Sequence, residues 1–573
     1  MKSKKALRFV IAIITVSIIL IPDKHNAAFH KAKEEKNAMV VTVSTPASLV
    51  GVRILKKGGN AVDAAVAVGF ALAVTYPYAG NIGGGGFMVI HLKNGENTTI
   101  DFREKAPIKA FRDMYLDKNG NYIPALSKEG ATSVGVPGSV AGLIYALKKY
   151  GTMELSEVIE PAIELAKNGW TVDKHSADSF AKALPLFSKY PSSFKIFSKN
   201  GKPFKEGDIF KQLDLAKTLE LIKEKGREGF YKGVTAKLLI KQIQKLGGII
   251  TQKDLDKYQP VERKPIVGNY RGYKIISMPP PSSGGIILVE MLNILENYKF
   301  EMSEWGSSKY YHKLVEAMKY AYADRSVHLG DSDFYPVPQK GLLSKKYAKS
   351  IFKKITNKAT PSSLIKAGNP KQYSESTETT HYSIVDNKGN AVSVTTTLNS
   401  AFGNKIVVDG AGFLLNNEMD DFSSKPGVPN QFGLIGGEGN SIQPEKRMLS
   451  SMTPTIVLKN NKPYLIIGSP GGSTIITTVL QVILNCIDFK MDIQTAIDMP
   501  RIHHQWLPDK LFFEKYAINS DTAEKLKRMG YKLADIRKSF RILGIAEGII
   551  IDSEKHIIYG AADPRGSGSA EGY

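Results

Sequence analysis

Two hydrophobic runs in the first hundred positions predict different elements. Residues 61–74 (AVDAAVAVGFALAV) are apolar on nearly every side, which predicts a buried helix with Asn60 as its N-cap. Residues 87–92 (FMVIHL) predict a strand, and an Asn-Gly turn would return the chain into a second strand over 98–102. This part of the sequence therefore predicts both helix and sheet.

The middle of the chain has mostly helical patterns. The sequence PPPSSGG at 279–285 interrupts them and is not expected to form regular structure. Helices are expected on both sides of it, over about 155–167, 213–223, 287–297 and 307–323.

A polar segment then precedes an abrupt change of pattern. Residues 365–378 (IKAGNPKQYSESTE) contain Gly and Pro but almost no aliphatic side chains, which is typical of a mobile linker. Residues 379–385 and 391–398 follow immediately, on either side of the turn sequence DNKGN, and predict a β-hairpin.

Composition narrows the class of protein. The 573 residues are 42% hydrophobic and 23% charged, which is ordinary for a globular chain and excludes wholesale disorder. A generic domain size of roughly 100–200 residues would suggest about three or four domains. The single cysteine, Cys486, excludes an intrachain disulfide and a cysteine-based metal site, and we expect it to be a small buried core residue.

The net charge of +22 is carried entirely by the residues before Thr379. From Thr379 onward there are 20 basic and 20 acidic residues, whereas the preceding part has 57 basic and 35 acidic residues. The lysines and arginines are scattered, without the aromatic interleaving or the basic arm of a nucleic-acid binder. We therefore expect a solvated basic surface and no nucleic-acid partner.

The N-terminus has the three parts of a secretory signal. Four basic residues among the first eight precede an uncharged apolar run at 9–21, which Pro22 and small residues at 26–28 follow. The run is shorter than the ~20 residues of a comfortable membrane span. We expect a signal peptide over 1–28 and a periplasmic or secreted protein with no stable membrane span after its removal. An uncleaved membrane anchor is the alternative.

Familiar catalytic and metal motifs are absent from the sequence. Residues 83–86 (GGGG) lack the features of a phosphate loop or a dinucleotide fingerprint, so we expect these glycines to permit close backbone approach. The adjacent His503 and His504 would point to opposite faces of a strand and could not chelate jointly. Without an HExxH spacing or a Gly-x-Ser-x-Gly elbow, no metal and no cofactor are expected.

Thr379, at the end of the linker, is the remaining candidate for chemistry. If the chain were cut before it, its freed α-amine would lie beside its own hydroxyl. An α-amine has a pKa of about 7.7–8.0, which suits a general base near neutral pH, and a threonine activated in this way can act as a nucleophile. Residue type and position alone leave open that Thr379 is an ordinary strand residue.

Ordered sequence blocks extend from about residue 39 to the C-terminus. The first part of the chain contains GNAVDAAVAVGFALAV, GNIGGGGFMVIHL, DFREKAP, GVPGSVAG, YRGYKIISMPPPSSGG and YADRS. The second contains TTHYSIVDNKGNAVSVTTTLNSAFG, LLNNEMDDFSSKPGVPN, LSSMTPTIV, GSPGGS and PRIHHQWLPD. Together these blocks resemble the γ-glutamyltransferase (γ-glutamyltranspeptidase) family of the bacterial type.

The resemblance implies an N-terminal-nucleophile hydrolase with an α+β fold, a four-layer αββα sandwich formed jointly by two fragments of one self-cleaved precursor. Cleavage between Glu378 and Thr379 would give a heterodimer of a large subunit (29–378) and a small subunit (379–573). The enzyme would transfer a γ-glutamyl group from glutathione, glutamine or another γ-glutamyl compound to Thr379. The group would then pass to water or to an amino-acid or dipeptide acceptor.

The resemblance also implies a role for each matched site residue. Thr397 would orient the nucleophile, Arg103, Ser450 and Ser451 would bind the substrate α-carboxylate, Asn399, Glu418 and Asp421 would receive its α-ammonium group, Gly471 and Gly472 would form the oxyanion hole, and Phe432 would belong to a lid. Such a set suits a zwitterionic group, because an arginine fork matches a carboxylate and acidic or amide oxygens match an ammonium.

Three residues depart from the family pattern. Phe432 replaces a tyrosine whose hydroxyl reaches the residue equivalent to Asn399, Thr474 replaces arginine, and Met448 replaces proline. The first two departures put acceptor preference and rate in question. Two alternative functions stay open: another N-terminal-nucleophile acylase, such as a β-lactam acylase, and a non-enzymatic, exported, basic binding protein.

Overall fold

Two seven-stranded sheets form the centre of the protein. The computed structural model describes residues 30–370, 381–538 and 542–573. The strands are β1 Lys33–Glu35, β2 Met39–Thr42, β3 Gly85–His91, β4 Asn97–Asp101, β5 Trp170–Thr171, β6 Ile209–Phe210, β7 Val261–Arg263, β8 Ile266–Tyr270, β9 Tyr273–Ser277, β10 His381–Val385, β11 Ala391–Thr397, β12 Thr455–Lys459, β13 Lys462–Gly468, β14 Ile502–His503, β15 Leu511–Phe513, β16 Leu533–Asp535, β17 Glu547–Asp552, β18 Ile557–Ala562 and β19 Ser569–Gly572.

Helices cover the outer face of each sheet. They are α1 Thr45–Lys56, α2 Ala61–Thr75, α3 Pro124–Lys128, α4 Ser139–Tyr150, α5 Leu155–Asn168, α6 Lys174–Phe187, α7 Pro191–Phe197, α8 Leu213–Lys225, α9 Glu228–Tyr231, α10 Gly233–Lys245, α11 Gln252–Lys257, α12 Gly284–Leu295, α13 Ser308–His328, α14 Gln339–Leu342, α15 Lys345–Phe352, α16 Ile475–Ile487, α17 Ile493–Asp498 and α18 Ser520–Met529.

The alternation of side chains along each strand produces four layers. One sheet has the order β1-β18-β17-β13-β12-β9-β8 and the other β19-β2-β10-β11-β3-β4-β7. In β3, Phe87 and Val89 pack between the sheets, whereas Met88 and Ile90 pack in the outer core with α1, α2, α4 and α5. Helices α12, α13, α16 and α17 cover the opposite face. The predicted α+β, four-layer αββα sandwich is confirmed.

Both sheets combine strands from the two sides of Thr379. In the second sheet, β10 and β11 lie between β2 and β3. Residues Ala32–Tyr573 accordingly form one structural unit. The generic expectation of three or four domains is wrong for this chain, because neither side of Thr379 completes a sheet by itself.

The helix and hairpin predictions agree well with the observed elements. Every residue of α2 is buried, and Asn60 Oδ1 accepts hydrogen bonds from the backbone N–H groups of Val62 (2.8 Å) and Asp63 (3.0 Å). The hairpin after the linker is β10 and β11, in antiparallel register. The local pattern therefore predicted both the N-cap and the hairpin.

The glycines at the end of PPPSSGG correct one expectation. Gly284 and Gly285 begin α12 instead of belonging to the irregular segment. A Cβ on Gly284 would lie 2.2 Å from the carbonyl oxygen of Met452, so glycine here serves tight packing of the helix start rather than a loop.

The prediction for Cys486 is confirmed, and the two adjacent histidines, of which only His503 lies in β14, have different partners. Cys486 is buried in α16, and burial raises the pKa of its thiol. His503 Nδ1 lies 2.9 Å from the hydroxyl of Thr477, whereas His504 Nε2 lies 3.3 Å from Asp509 Oδ1. The two imidazole rings therefore have separate partners.

Parts of the chain lie outside the described residues, including the proposed signal peptide, most of the linker, and both Glu378 and Thr379. Within the described ranges, none of the helices is long and apolar enough to cross a membrane.

Candidate active site

Thr397 ends β11 in a tightly packed backbone environment. Its carbonyl oxygen accepts a hydrogen bond from Asn81 Nδ2 (2.7 Å), and its hydroxyl accepts one from the backbone N–H of Asn399 (2.7 Å). A Cβ on Gly84 would lie 2.1 Å from the same carbonyl oxygen. The expected role of the glycine-rich segment, close backbone approach, is confirmed at this position.

Asn399 turns the chain from Thr397 towards the acidic segment around Glu418. Its φ of +72° lies in the left-handed region, which asparagine tolerates better than most residues. Its Nδ2 donates a hydrogen bond to the carbonyl oxygen of Asn417 (2.9 Å). The end of β11 and the acidic segment are therefore held side by side.

Arg103 is fully buried among carboxylates. Its Nη1 donates to Glu418 and its Nη2 donates to Asp421 Oδ2 at 2.7 Å, while Glu104 Oε2 lies 3.6 Å from Nη1. Burial raises the pKa of Glu418 well above its usual range and that of Glu104 to about 7, although Arg103 opposes both shifts. One guanidinium group cannot compensate all of the buried carboxylates around it, so Glu104 and Glu418 retain their protons to higher pH than free glutamates do.

Two buried serine hydroxyls carry no hydrogen bond to any described residue. Ser450 and Ser451 are both 0% exposed, and neither hydroxyl has a partner there. Asn440 ties this segment to the arginine cluster, since its Nδ2 donates to the Asp421 carbonyl (2.7 Å) and its Oδ1 accepts the Leu449 N–H (2.7 Å). Unsatisfied buried hydroxyls are rare and costly, which is typical of a ligand site.

Gly471 and Gly472 form the turn between β13 and α16. Both have positive φ, +138° and +59°. A Cβ on Gly472 would lie 2.7 Å from Phe432 Cδ1, so the ring of the predicted lid residue contacts this glycine directly. The hydroxyl of Thr474, which replaces the usual arginine, donates to the carbonyl oxygen of Gly471 (2.9 Å).

His381, the first residue of β10, brings the start of that strand next to the same turn. A Cβ on Gly468, at the end of β13, would lie 2.3 Å from His381 Nδ1. The imidazole nitrogens lie 3.2 Å from the hydroxyl of Thr395 and 2.8 Å from that of Ser383. Burial lowers the pKa of His381 to about 3, so the ring is neutral near pH 7.

Comparison with known proteins decides the family. The sequence profile described as Gamma-glutamyltranspeptidase matches residues 47–573. The chain belongs to this family. It is 52% identical over 542 residues to the Glutathione hydrolase proenzyme of Escherichia coli (strain K12), covering 94% of this chain and 92% of the relative. The resemblance found in the sequence blocks is therefore confirmed.

Solved structures agree with the family and with the fold. The gamma-glutamyltranspeptidase of Helicobacter pylori is 55% identical, with a TM-score of 0.56, over 56% of this chain and 93% of that one. A cephalosporin acylase from Bacillus halodurans is 28% identical, with a TM-score of 0.85, over 97% of this chain and 99% of that one. The same layered architecture thus occurs in a gamma-glutamyltranspeptidase and in a cephalosporin acylase.

Three residues of this candidate site were not predicted from the sequence. Asn81 anchors Thr397, Glu104 adjoins Arg103, and Asn440 connects Asp421 to the serine segment. Asn81 and Glu104 lie within the blocks GNIGGGG and DFREKAP, which gave a signal for their importance. Asn440 lies between two blocks and gave none.

Proposed function

We propose that this protein is a self-processing γ-glutamyltransferase. It cleaves the γ-glutamyl amide bond of glutathione and related compounds through a γ-glutamyl-Thr379 intermediate and transfers the group to water, an amino acid or a dipeptide. The observation that carries the proposal is the buried cluster of Arg103, Glu418 and Asp421 next to two serine hydroxyls that have no hydrogen-bond partner among the described residues. A substrate with a free α-carboxylate and α-ammonium group needs both signs of charge at one place.

In this proposal the precursor has three parts: a signal peptide (1–28), a large subunit (29–378) and a small subunit (379–573). The mature heterodimer is periplasmic or secreted. The interleaved strand order supports a stable association after one cut, since the strands on both sides of Thr379 share each sheet. The Helicobacter pylori chain also supports it, because it matches over nearly its full length yet spans only 56% of this chain.

The proposed nucleophile is Thr379, activated by its own α-amine after cleavage at Glu378. The described ladder begins with His381 opposite Thr395. Thr397 ends β11 two residues beyond Thr395, and its hydroxyl would orient the nucleophile. The neutral, buried His381 already has Thr395 and Ser383 as partners, which favours the α-amine over the imidazole as general base.

The proposed acylation step is attack of the Thr379 hydroxyl oxygen on the γ-carbonyl carbon of the donor. The α-amine takes the hydroxyl proton and then delivers it to the leaving amine, and water or an acceptor amine reverses the sequence. The N–H groups of Gly471 and Gly472 would stabilise the oxyanion, each worth about 3 kcal/mol in comparable sites. Their turn leads into α16, so the positive end of the helix dipole adds to this effect.

Substrate binding in this proposal divides between the two charged groups. Arg103, Ser450 and Ser451 hold the α-carboxylate, while Asn399, Glu418 and Asp421 hold the α-ammonium group. Glu418 and Asp421 already contact Arg103, so a zwitterion would insert between existing opposite charges. Because each charged group of the substrate would meet an opposite charge in the cluster, these ion pairs would offset the desolvation cost of burying the substrate.

A second candidate, an acylase for β-lactam side chains, is supported by the likeness to the Bacillus halodurans cephalosporin acylase. The identity argues against it, since it is 28% for that acylase and 52% for the Escherichia coli glutathione hydrolase proenzyme. A panel of γ-glutamyl, glutaryl and aliphatic acyl anilides separates the two. We expect turnover of the γ-glutamyl compound at least about a hundredfold above the others, because they lack the α-ammonium group or both α-groups.

The test of the proposal is mass spectrometry and gel analysis of the purified protein. The wild-type chain should run as fragments of about 350 and 195 residues, the second beginning at Thr379. Thr379→Ala should give one uncut band and release no γ-glutamyl product, and Thr380→Ala is the matched control that should still be cut. An intact, inactive wild-type chain would refute the proposal.

A further inference from the structure

We propose that Asp101 and Arg447 are positioning residues whose buried ion pair holds the two substrate-binding loops in register. One loop carries Arg103 and the other carries Ser450 and Ser451. The inference rests on the proposed function, because those side chains are assigned there to the substrate α-carboxylate.

Asp101 supports the arginine loop from the end of β4. It is fully buried, and its Oδ1 accepts the backbone N–H of Arg103 at 2.9 Å. Its Oδ2 lies 2.8 Å from Arg263 Nε, and its Oδ1 lies 3.3 Å from Arg447 Nε. One carboxylate therefore fixes the backbone of Arg103 and faces two cations at once.

Arg447 supports the serine loop three residues before Ser450. Its side chain is 2% exposed, and its Nη2 donates to the carbonyl oxygen of Gln259 (3.0 Å). Its backbone N–H donates to Asp331 Oδ2 (2.8 Å). The Arg447 guanidinium thus reaches from the serine loop to Gln259, and the neighbouring Tyr258 hydrogen-bonds the carbonyl oxygen of Arg103 in the arginine loop.

Backbone contacts show that the two loops already run side by side. The N–H of Ala106 donates to the carbonyl oxygen of Lys446 (2.8 Å), and the N–H of Glu445 donates to the carbonyl oxygen of Ala106 (3.0 Å). Tyr258 closes the opposite side, with its hydroxyl donating to the Arg103 carbonyl (2.8 Å). The Asp101–Arg447 ion pair adds a buried charged contact to this junction, and it joins residues on either side of Thr379.

The ion pair between Asp101 and Arg447 controls the position of both loops because its two side chains are buried away from solvent. Removing the charge of Arg447 leaves Asp101 buried against Arg263 alone, and the carboxylate then turns away from the Arg103 N–H. Arg103 and the serine hydroxyls would lose their relative placement, although none of them is itself altered. Interactions lost equally in ground state and transition state raise KM and leave kcat nearly unchanged.

The experiment compares Arg447→Met, Arg447→Lys, Asp101→Asn and the Asp101→Asn/Arg447→Met double variant with the wild-type heterodimer, using γ-glutamyl-p-nitroanilide. We expect Arg447→Met to raise KM about tenfold or more, because Asp101 loses one of its two buried cations, with kcat changed less than about threefold. Arg447→Lys should give a smaller rise. The double variant should raise KM by less than the product of the two single effects.

A second substrate tests whether the effect of Arg447→Met acts through the substrate α-carboxylate. The 4-aminobutyryl anilide lacks the α-carboxylate, so its kcat/KM should change little in Arg447→Met, and discrimination between the two anilides should fall. Arg271→Met is the matched control, because it breaks a partly buried pair with Asp488 (Nε–Oδ1 3.0 Å) outside the site. It should lower the thermal unfolding midpoint without changing KM.

Calorimetric binding of L-glutamate separates failure of this inference from failure of the proposed function. Glutamate has both α-groups but no scissile amide, and Arg447→Met should bind it about tenfold more weakly than wild type does. Wild-type binding without turnover would refute the proposed function and leave the positioning role standing. An unchanged KM and glutamate affinity in Arg447→Met, or an equal loss in Arg271→Met, would overturn the inference. If Arg447→Met is not processed, Arg447→Lys decides by the same criteria.

Discussion

Replacing Gly472 by alanine tests the contact between Phe432, the proposed lid residue, and the turn of Gly471 and Gly472, the proposed oxyanion hole. At φ +59° an L-residue costs about 1–2 kcal/mol relative to glycine. The new Cβ would also lie 2.7 Å from Phe432 Cδ1 and 3.0 Å from Cε1. Carbon atoms prefer about 3.5–4.0 Å, so the ring has to move by roughly 1 Å.

The displacement should affect both kinetic constants. Phe432 accepts a hydrogen bond from Gln505 Nε2 (3.2 Å) through its carbonyl oxygen, so moving its ring disturbs the lid backbone and should raise KM. Rotation of the Gly472 peptide away from the oxyanion would lower kcat by about a hundredfold to a thousandfold, the effect of losing one donor.

The assay is a double-mutant cycle with matched controls. Kinetics and thermal unfolding are measured for Gly472→Ala, Phe432→Leu and the combination, with Gly226→Ala as control. Gly226 has φ +56° and ψ −135° with nothing within 4 Å of an added Cβ, so its substitution has a backbone cost but no steric contact. We expect Phe432→Leu to relieve part of the KM effect of Gly472→Ala. Strictly additive effects of Gly472→Ala and Phe432→Leu on KM would refute the contact argument.

Three further predictions concern single side chains. Phe432→Tyr should lower KM for the γ-glutamyl donor, because the added hydroxyl could reach Asn399; steady-state kinetics giving an unchanged or higher KM would contradict this. Arg103→Lys should weaken transition-state binding by about 2–4 kcal/mol and so lower kcat/KM, because one lysine ammonium group cannot contact Glu418 and Asp421 together as the guanidinium group does. A decrease of kcat/KM below tenfold in the anilide assay would argue against that role. The pKa of His381 is about 3 in the folded protein, below the ordinary 6.5, so between these pH values the unfolded chain binds one more proton than the folded chain. The free energy of unfolding therefore falls as the pH drops, by about 2 kcal/mol between pH 7 and 5. The unfolding temperature of His381→Asn should therefore fall less between pH 7 and 5 than that of the wild-type protein, and an equal fall in both proteins would refute this prediction.

The predictions that succeeded depend on short-range order. The helix α2 and its Asn60 cap follow from an apolar run and one side chain that bonds three residues ahead. The hairpin β10–β11 follows from alternation around a five-residue turn. Asn440, which was missed, lies between two sequence blocks and joins Asp421 to Leu449 through contacts that follow no helical or strand period, so no local pattern marks it.

The sequence by itself determined the elements, the family and the residue types available for chemistry, because periodicity and ordered motifs are properties of neighbouring positions. Only the tertiary structure decided that Arg103 is enclosed by Glu418, Asp421 and Glu104 and that Phe432 rests on Gly472. These contacts depend on strands from both sides of Thr379 pairing in shared sheets. Burial then sets the charges, since desolvation shifts a pKa only where the fold excludes water.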